Sequence, residues 1–430
     1  MTMTTKVEHV PVIVVGGGQA GLSASWYLKK AGIGHVVLEK ARAFNAWKSE
    51  RWDNFCLVTP NWQCQLPGHP YDGDDPDGFM GRDEITGWLD RYVEKLRPPL
   101  REGVAVRRLA ANGRSGFLLD TSAGILTADQ VVLAAGGYQV PIVPRQAERL
   151  PDDLVQIHSS IYRNSEQLPE GAVLVVGSGQ SGAQIAEDLH LAGRKVHLCL
   201  GDAPRVARRY RGKDVVEWLH HMGYYDIPVN AHPLREGVRD KTNHYVTGRD
   251  GGRDIDLRQR ALEGMELYGP FEDARGGRVL VADTVKACLD AADATNDSIK
   301  DSIDAYIARA GIDAPEEARP APVSVPDGRP TEIDLAGAGI TSVVWCIGFR
   351  TDWSWIDLPV FNGRGQPAHE RGVTAVPGVY FLGLPWLHTW GSGRFSGVAR
   401  DAEFVAGQIL ARHVDRVAGP VLLNEAAMGS

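Results

Sequence analysis

Cysteine is scarce in this chain: five in 430 residues, at Cys56, Cys64, Cys199, Cys288 and Cys346. Their number is odd and no two are spaced Cys-x-x-Cys, which argues against a disulfide framework and a zinc ribbon and points to reduced thiols. Long apolar runs are missing as well; none reaches the roughly 18–20 residues needed to span a bilayer. The opening stretch MTMTTKVEHVPVIVV lacks the charged-then-apolar build of a secretion signal, so a cytoplasmic location is expected. Positive charge is not in excess. A net charge of −8 argues against a nucleic-acid partner. No metal-ligand motif, catalytic triad or paired-carboxylate motif stands out.

What the chain does have is glycine, and a pattern that occurs twice. VIVVGGGQAGLSASWY (Val12–Tyr27) and VLVVGSGQSGAQIAEDL (Val173–Leu189) each run from an apolar strand through a glycine-rich turn into a helix. Such a strand–turn–helix opens a Rossmann unit, in which the first glycine makes the tight turn. The second lets backbone approach a pyrophosphate, and the third lets helix and strand pack closely. The anion then rests on unpaired N–H groups at the helix N-terminus. The first copy assigns Gly16, Gly18, Gln19, Ala20 and Gly21 to a dinucleotide. Glu39, directly after the next strand, is placed to accept from ribose hydroxyls, with Lys40 beside it.

The second copy assigns Gly177, Gly179, Gln180, Ser181 and Gly182. Counting the same distance past its last glycine reaches Leu200 rather than an acid. Gly201 and Asp202 follow, then Arg205, Arg208 and Arg209. Arginines in place of a carboxylate suit a 2′-phosphate, hence NADPH through Arg205 and Arg208; Asp202 could instead hold the ribose of NADH.

Coarser patterning fills in the rest. Strands are predicted at Val12–Val15, His35–Leu38, Gln130–Ala135, Lys195–Leu200, Ser342–Ile347 and Val379–Leu382. A hairpin is expected around Val104–Leu109 and Phe117–Thr121. Helices are expected at Arg82–Leu96, Ser298–Ala310 and Ala399–Arg412. The fold class expected is α/β: an FAD domain with an inserted NAD(P)H domain, on the two-domain plan of glutathione reductase. The division is 1–160 and 336–430 for the two parts of the FAD domain and 161–335 for the insert. Residues 222–336 are assigned to a substrate cap.

In order along the chain, these motifs resemble the flavin-containing monooxygenase superfamily, particularly its bacterial members and the plant auxin-forming branch. The glycine loops resemble its FAD and NADPH loops. PNWQCQLP (Pro60–Pro67) is similar to the stretch before the first substrate-side helix. VVLAAGGYQVPIVP (Val131–Pro144) and VVWCIGFRTD (Val343–Asp352) resemble the two inter-domain linkers. IHSSIY resembles half of the family fingerprint, with His158 and Tyr162 in register, while Asp152 and Leu154 depart from its other half. GVYFLG and SGVARDAEFVAGQI resemble the closing strand and helix.

The resemblance implies FAD, NADPH or NADH, and O2 as co-substrate. It implies a C4a-(hydro)peroxyflavin that oxygenates a small nitrogen, sulfur or carbonyl compound. It adds Ala135, Gly136 and Gly383 as backbone contacts to the flavin, and Trp47 as a flank of its pocket. It makes Asn61 a hydrogen-bond donor to the oxygenating species and gives His158 a role at the crossover. Trp386, His388, Trp390 and Arg394 would shape the substrate site. An NAD(P)H oxidase or dehydrogenase of the same fold, and more remotely a redox sensor, remain alternatives; a homodimer is one assembly the plan allows.

Overall fold

The computed structural model describes residues 7–113, 116–324 and 330–418; the proline-rich run 314–330, which reads as a connector in the sequence, lies partly outside them. The chain opens with strand β1 (Glu8–Val15), helix α1 (Gln19–Lys30) and strand β2 (His35–Leu38). β1 is buried on both faces through Val12–Val15, as a central parallel strand requires. After a long irregular stretch come α2 (Arg82–Leu96), the short β3 (Leu100–Arg101), and the antiparallel β4 (Val106–Ala111), β5 (Phe117–Thr121) and β6 (Gly124–Leu133).

A second unit then begins. It contains β7 (Val155–His158), β8 (Ala172–Val176), α3 (Gln180–Leu191), β9 (Val196–Cys199), β10 (Glu266–Tyr268), α4 (Val285–Ala310) and β11 (Ile340–Trp345). The chain returns through β12 (Ile356–Asp357), β13 (Val379–Phe381) and α5 (Val398–Ala418).

The first sheet has the order β12-β4-β5-β6-β1-β2-β3, with β13 also pairing β6; the second has the order β7-β11-β8-β9-β10. In the first, Val15 lies opposite both Leu38 and Leu133, and Leu133 opposite Phe381, all in parallel register. In the second, Val176 lies opposite Cys199 and Trp345. Each sheet therefore presents the carboxyl ends of several parallel strands at one level, where open α/β sheets bind ligands.

The second sheet takes in Val155–His158 through β7 and Ile340–Trp345 through β11, just outside the 161–335 expected for the insert. The two crossing segments run side by side, Val140–Pro141 pairing antiparallel with Phe349–Arg350. The helix expected from Ser298 starts at Val285, and β7 and β10 were not foreseen as strands.

The segment after Met222 folds back over the closing loop. Val229 N–H donates to His388 O at 2.8 Å, and Arg239 Nε to Trp386 O at 3.1 Å. Val229 and Val238 pack with Trp386 as a small separate apolar cluster. Among the described residues, no helix is long and apolar enough to cross a membrane, and no cluster of three His, Cys, Asp or Glu could hold a metal ion.

Candidate active site

The two glycine turns share one steric design. Gly16 has φ +115°, and a Cβ there would lie 2.4 Å from Ala134 O; one on Gly21 would lie 1.9 Å from Gly16 O. In the second turn Gly177 has φ +101° and its Cβ would lie 2.7 Å from Cys346 O; that of Gly182 would lie 1.8 Å from Gly177 O. These four glycines are required by the protein's own backbone.

The middle glycines are different. A Cβ on Gly18 meets nothing within 4 Å, and one on Gly179 meets only Thr242 Cγ2 at 3.9 Å. Gly18 and Gly179 are also the N-caps of α1 and α3, neither with a side-chain cap, and no acidic residue lies in either first turn. Two helix starts thus carry uncapped N–H groups beside space that only glycine leaves open. This is a cradle for a phosphate-bearing ligand, and the residues present fit FAD at the first turn and a nicotinamide dinucleotide at the second.

Around the first turn the expected residues converge. Glu39 Oε2 accepts from Gly17 N–H at 2.7 Å and Oε1 from Ala41 N–H at 2.8 Å, which fixes the carboxylate while leaving lone pairs for hydroxyls. Gln19 donates to Gly393 O at 3.2 Å and accepts from Trp47 Nε1 at 3.3 Å. It joins the turn to the closing loop. Trp47 stacks on Phe395 with ring centroids 4.9 Å apart. Gly383 sits against Ala20, its Cβ position 2.4 Å from the alanine's. Ala135 and Gly136 follow β6, and Gly136, at φ +74°, faces open space. Lys40 is exposed.

At the second turn Ser178 takes over the bracing that Glu39 does at the first, its Oγ accepting from Gly201 N–H at 3.0 Å. Gln180 donates to Val246 O at 2.6 Å. Ser181 lies in the first turn of α3, and Asp202 is exposed just past β9.

Arg205 and Arg208, expected to meet a 2′-phosphate, are ion-paired within the chain. Arg205 Nε donates to Asp293. Arg208, 2% exposed, donates to Asp214 Oδ1 at 2.6 Å and Val58 O at 2.7 Å, with its guanidinium 4.7 Å over Phe79. Asp293, 88 residues from Arg205, and Asp214, six residues from Arg208, supply the opposing charges, so both arginines brace the insert.

The two expected catalytic residues are structural in their contacts. Asn61, 3% exposed, donates to Asp75 O at 2.9 Å and accepts from Met80 N–H at 2.7 Å, pinning the long loop. His158 Nε2 donates to Gly348 O at 3.1 Å while Nδ1 accepts from Ser160 N–H at 3.1 Å. Burial lowers its pKa, so the ring is neutral and both nitrogens hold the crossover in place.

One hub escaped sequence reasoning. Asp188, 4% exposed, accepts from Tyr162 Oη at 2.8 Å and from Asn54 Nδ2 and Arg249 Nη1, each at 2.9 Å. It ties α3 to the loop of the first unit and to the cap. A charged residue on the buried face of an amphipathic helix gives no periodic signal, and only the resemblance had singled out Tyr162. The cysteines supply no ready thiolate among the buried ones: all five are free, and burial pushes Cys64 and Cys199 up to about 12.

Residues 13–222 match the profile of the family described as pyridine nucleotide-disulphide oxidoreductase. The CzcO-like oxidoreductase of Geobacillus kaustophilus is 32% identical over 408 residues, covering 94% of this chain and 99% of that protein. An indole-3-pyruvate monooxygenase of rice, YUCCA4, is 29% identical over 47% of this chain and 50% of its own. Among solved structures, a flavin-containing monooxygenase from Stenotrophomonas maltophilia shares the fold with a TM-score of 0.64 at 21% identity, covering 95% of this chain and all of that one.

Proposed function

Because the chain belongs to the CzcO-like oxidoreductases of the pyridine nucleotide-disulphide oxidoreductase family, we propose that it is an FAD-dependent, NAD(P)H-reduced monooxygenase acting on a small nitrogen, sulfur or carbonyl compound. The observation that carries this reading is the pair of open, uncapped glycine cradles, of which only the first is followed by a ribose-binding acid. One ligand is held throughout and the other comes and goes.

When bound, the flavin accepts hydride from the nicotinamide and activates dioxygen. The chain's own residues do the rest. The N–H groups at Gly18 and Gln19 receive the pyrophosphate, and Glu39 orients the ribose. The Trp47–Phe395 stack and the cap segment over Trp386 and His388 exclude bulk water from the cleft. Asn61 and His158 act as positioning residues, holding the loop and the crossover that frame it. The compartment follows as a cytoplasmic one if the thiols are reduced, and O2 is the co-substrate.

A dithiol reductase reading is weakened because Cys56 and Cys64 are eight residues apart without a Cys-x-x-Cys motif and Cys64 is buried. An oxidase reading is separated by experiment. FAD-loaded protein mixed with NADPH or NADH in air should oxidise the nucleotide slowly without substrate and faster with it, and labelled oxygen should enter the product. Rapid peroxide release that no substrate changes would replace the monooxygenase with an oxidase.

A further inference from the structure

Burial lowers the pKa of three arginines in this protein: Arg51, Arg239 and Arg394. Arg239 ion-pairs with Glu236. Among the described residues, the other two ion-pair with no carboxylate. Both lie within electrostatic reach of Tyr138, on the linker that leaves the first sheet. Half-buried guanidinium groups keep their charge at neutral pH, and without an anion they sit at an electrostatic cost.

Arg394 is the better placed of the two. It follows the closing loop, one residue past the Gly393 that Gln19 of the first glycine turn contacts. Its guanidinium lies 3.9 Å over the Trp390 ring, which is in turn 4.3 Å from Tyr225 of the cap. It donates to Trp390 O, and to Asn243 Oδ1 at 2.7 Å. Of its five N–H groups, the rest have no partner among the described residues. The fork is therefore held in one orientation before any ligand arrives, between the flavin cradle and the aromatic wall of the cap. The titratable groups that bear on it are all tyrosines: Tyr138, Tyr224 and Tyr225.

We propose that Arg394 receives a carboxylate on the substrate, so that the cleft selects an organic acid over its uncharged counterpart. Arg51, stacked 4.9 Å over Trp47, adds positive potential. A planar fork that donates two parallel hydrogen bonds matches a carboxylate. The aromatic wall of Trp390 and Tyr225 offers an apolar surface for the rest of the molecule. The inference rests on the flavoenzyme reading of this cleft. The same guanidinium could instead meet a phosphate of the nicotinamide dinucleotide, and the test separates the two sources.

FAD-loaded protein is titrated with acetate, hexanoate and benzoate, and separately with acetamide, hexanamide and benzamide, following the flavin absorbance. The acids should bind about 10- to 100-fold more tightly than the matching amides, the range expected for hydrogen bonds to a charged group. Arg394→Gln should erase that difference while Arg394→Lys keeps part of it, with retained flavin reporting an intact fold. NADH affinity, measured by its fluorescence, should be unchanged in Arg394→Gln. Equal behaviour of acids and amides on the wild-type protein, including no response to either, overturns the proposal. So does a loss of NADH affinity in place of acid affinity, which would give Arg394 to the dinucleotide. Protein that binds no flavin would instead overturn the underlying functional reading.

Discussion

At the scale of single residues, steric demand was legible in the sequence and charge pairing was not. Gly16, Gly21, Gly177 and Gly182 were expected in dinucleotide-binding turns by their spacing, and a Cβ at each would meet the protein's own backbone. The open space at Gly18 and Gly179 allows a sharper prediction. Gly18→Val should leave the melting temperature of flavin-free protein nearly unchanged and abolish flavin binding; Gly21→Ala, whose Cβ would lie 1.9 Å from backbone, should destabilise the fold itself. Calorimetry of the apoprotein beside a flavin titration checks both. The pairing of Arg205 was not legible, since Asp293 lies 88 residues from it. Arg208→Ala should cost roughly 3–5 kcal/mol, the range for breaking a buried pair. It should leave the ratio of NADPH to NADH affinity within about twofold, because the side chain lies 2% exposed in a salt bridge with Asp214. A large change in that ratio would restore it as a phosphate ligand.

At the scale of elements, periodic segments were predicted closely and short ones were missed. The helix Arg82–Leu96 was expected with the bounds it has, since Ile85, Trp88, Leu89 and Tyr92 form a clear stripe. The first half of α4 was missed although Val285, Cys288, Leu289 and Ala292 fall at helical spacing and Val285, Leu289 and Ala292 are buried, because small and acidic residues around them dilute the stripe. β10, with three residues, is too short to show an alternation and owes its state to pairing with β9. The site depends on one junction between elements, the Asp188 hub on α3. Asp188→Asn keeps one acceptor and removes the charge opposite Arg249. It should cost roughly 1–3 kcal/mol and speed hydrogen exchange in residues 53–56 and 245–250, while β1 and α1 stay protected. Unchanged exchange in those two segments would mean that the hub does not hold the cleft together.

At the scale of the whole molecule, the order of motifs gave away the two-sheet plan. The strands that flank the crossing points, β7 and β11, join the second sheet through pairing, which leaves no periodic signal in the sequence. Stability against pH is also a property of the whole. Burial lowers the pKa of His197 and His369 to about 4, and lowers those of His35 and His158. Each binds a proton more readily when unfolded, so their contribution is full above the ordinary value of 6.5 and is lost as pH falls from there toward 4. The melting temperature should fall across that window, and a His197→Gln variant should fall less steeply.

The central claim is that the first glycine turn grips a flavin and its later twin receives the reductant. It is tested most directly by recording the visible spectrum of protein incubated with FAD and desalted, then adding NADPH or NADH without oxygen. Yellow protein whose flavin band bleaches with one of the two nucleotides, in the wild type but not in Gly179→Val, is the result this account predicts. Colourless protein after incubation with excess FAD, or bleaching that survives in Gly179→Val, would contradict it.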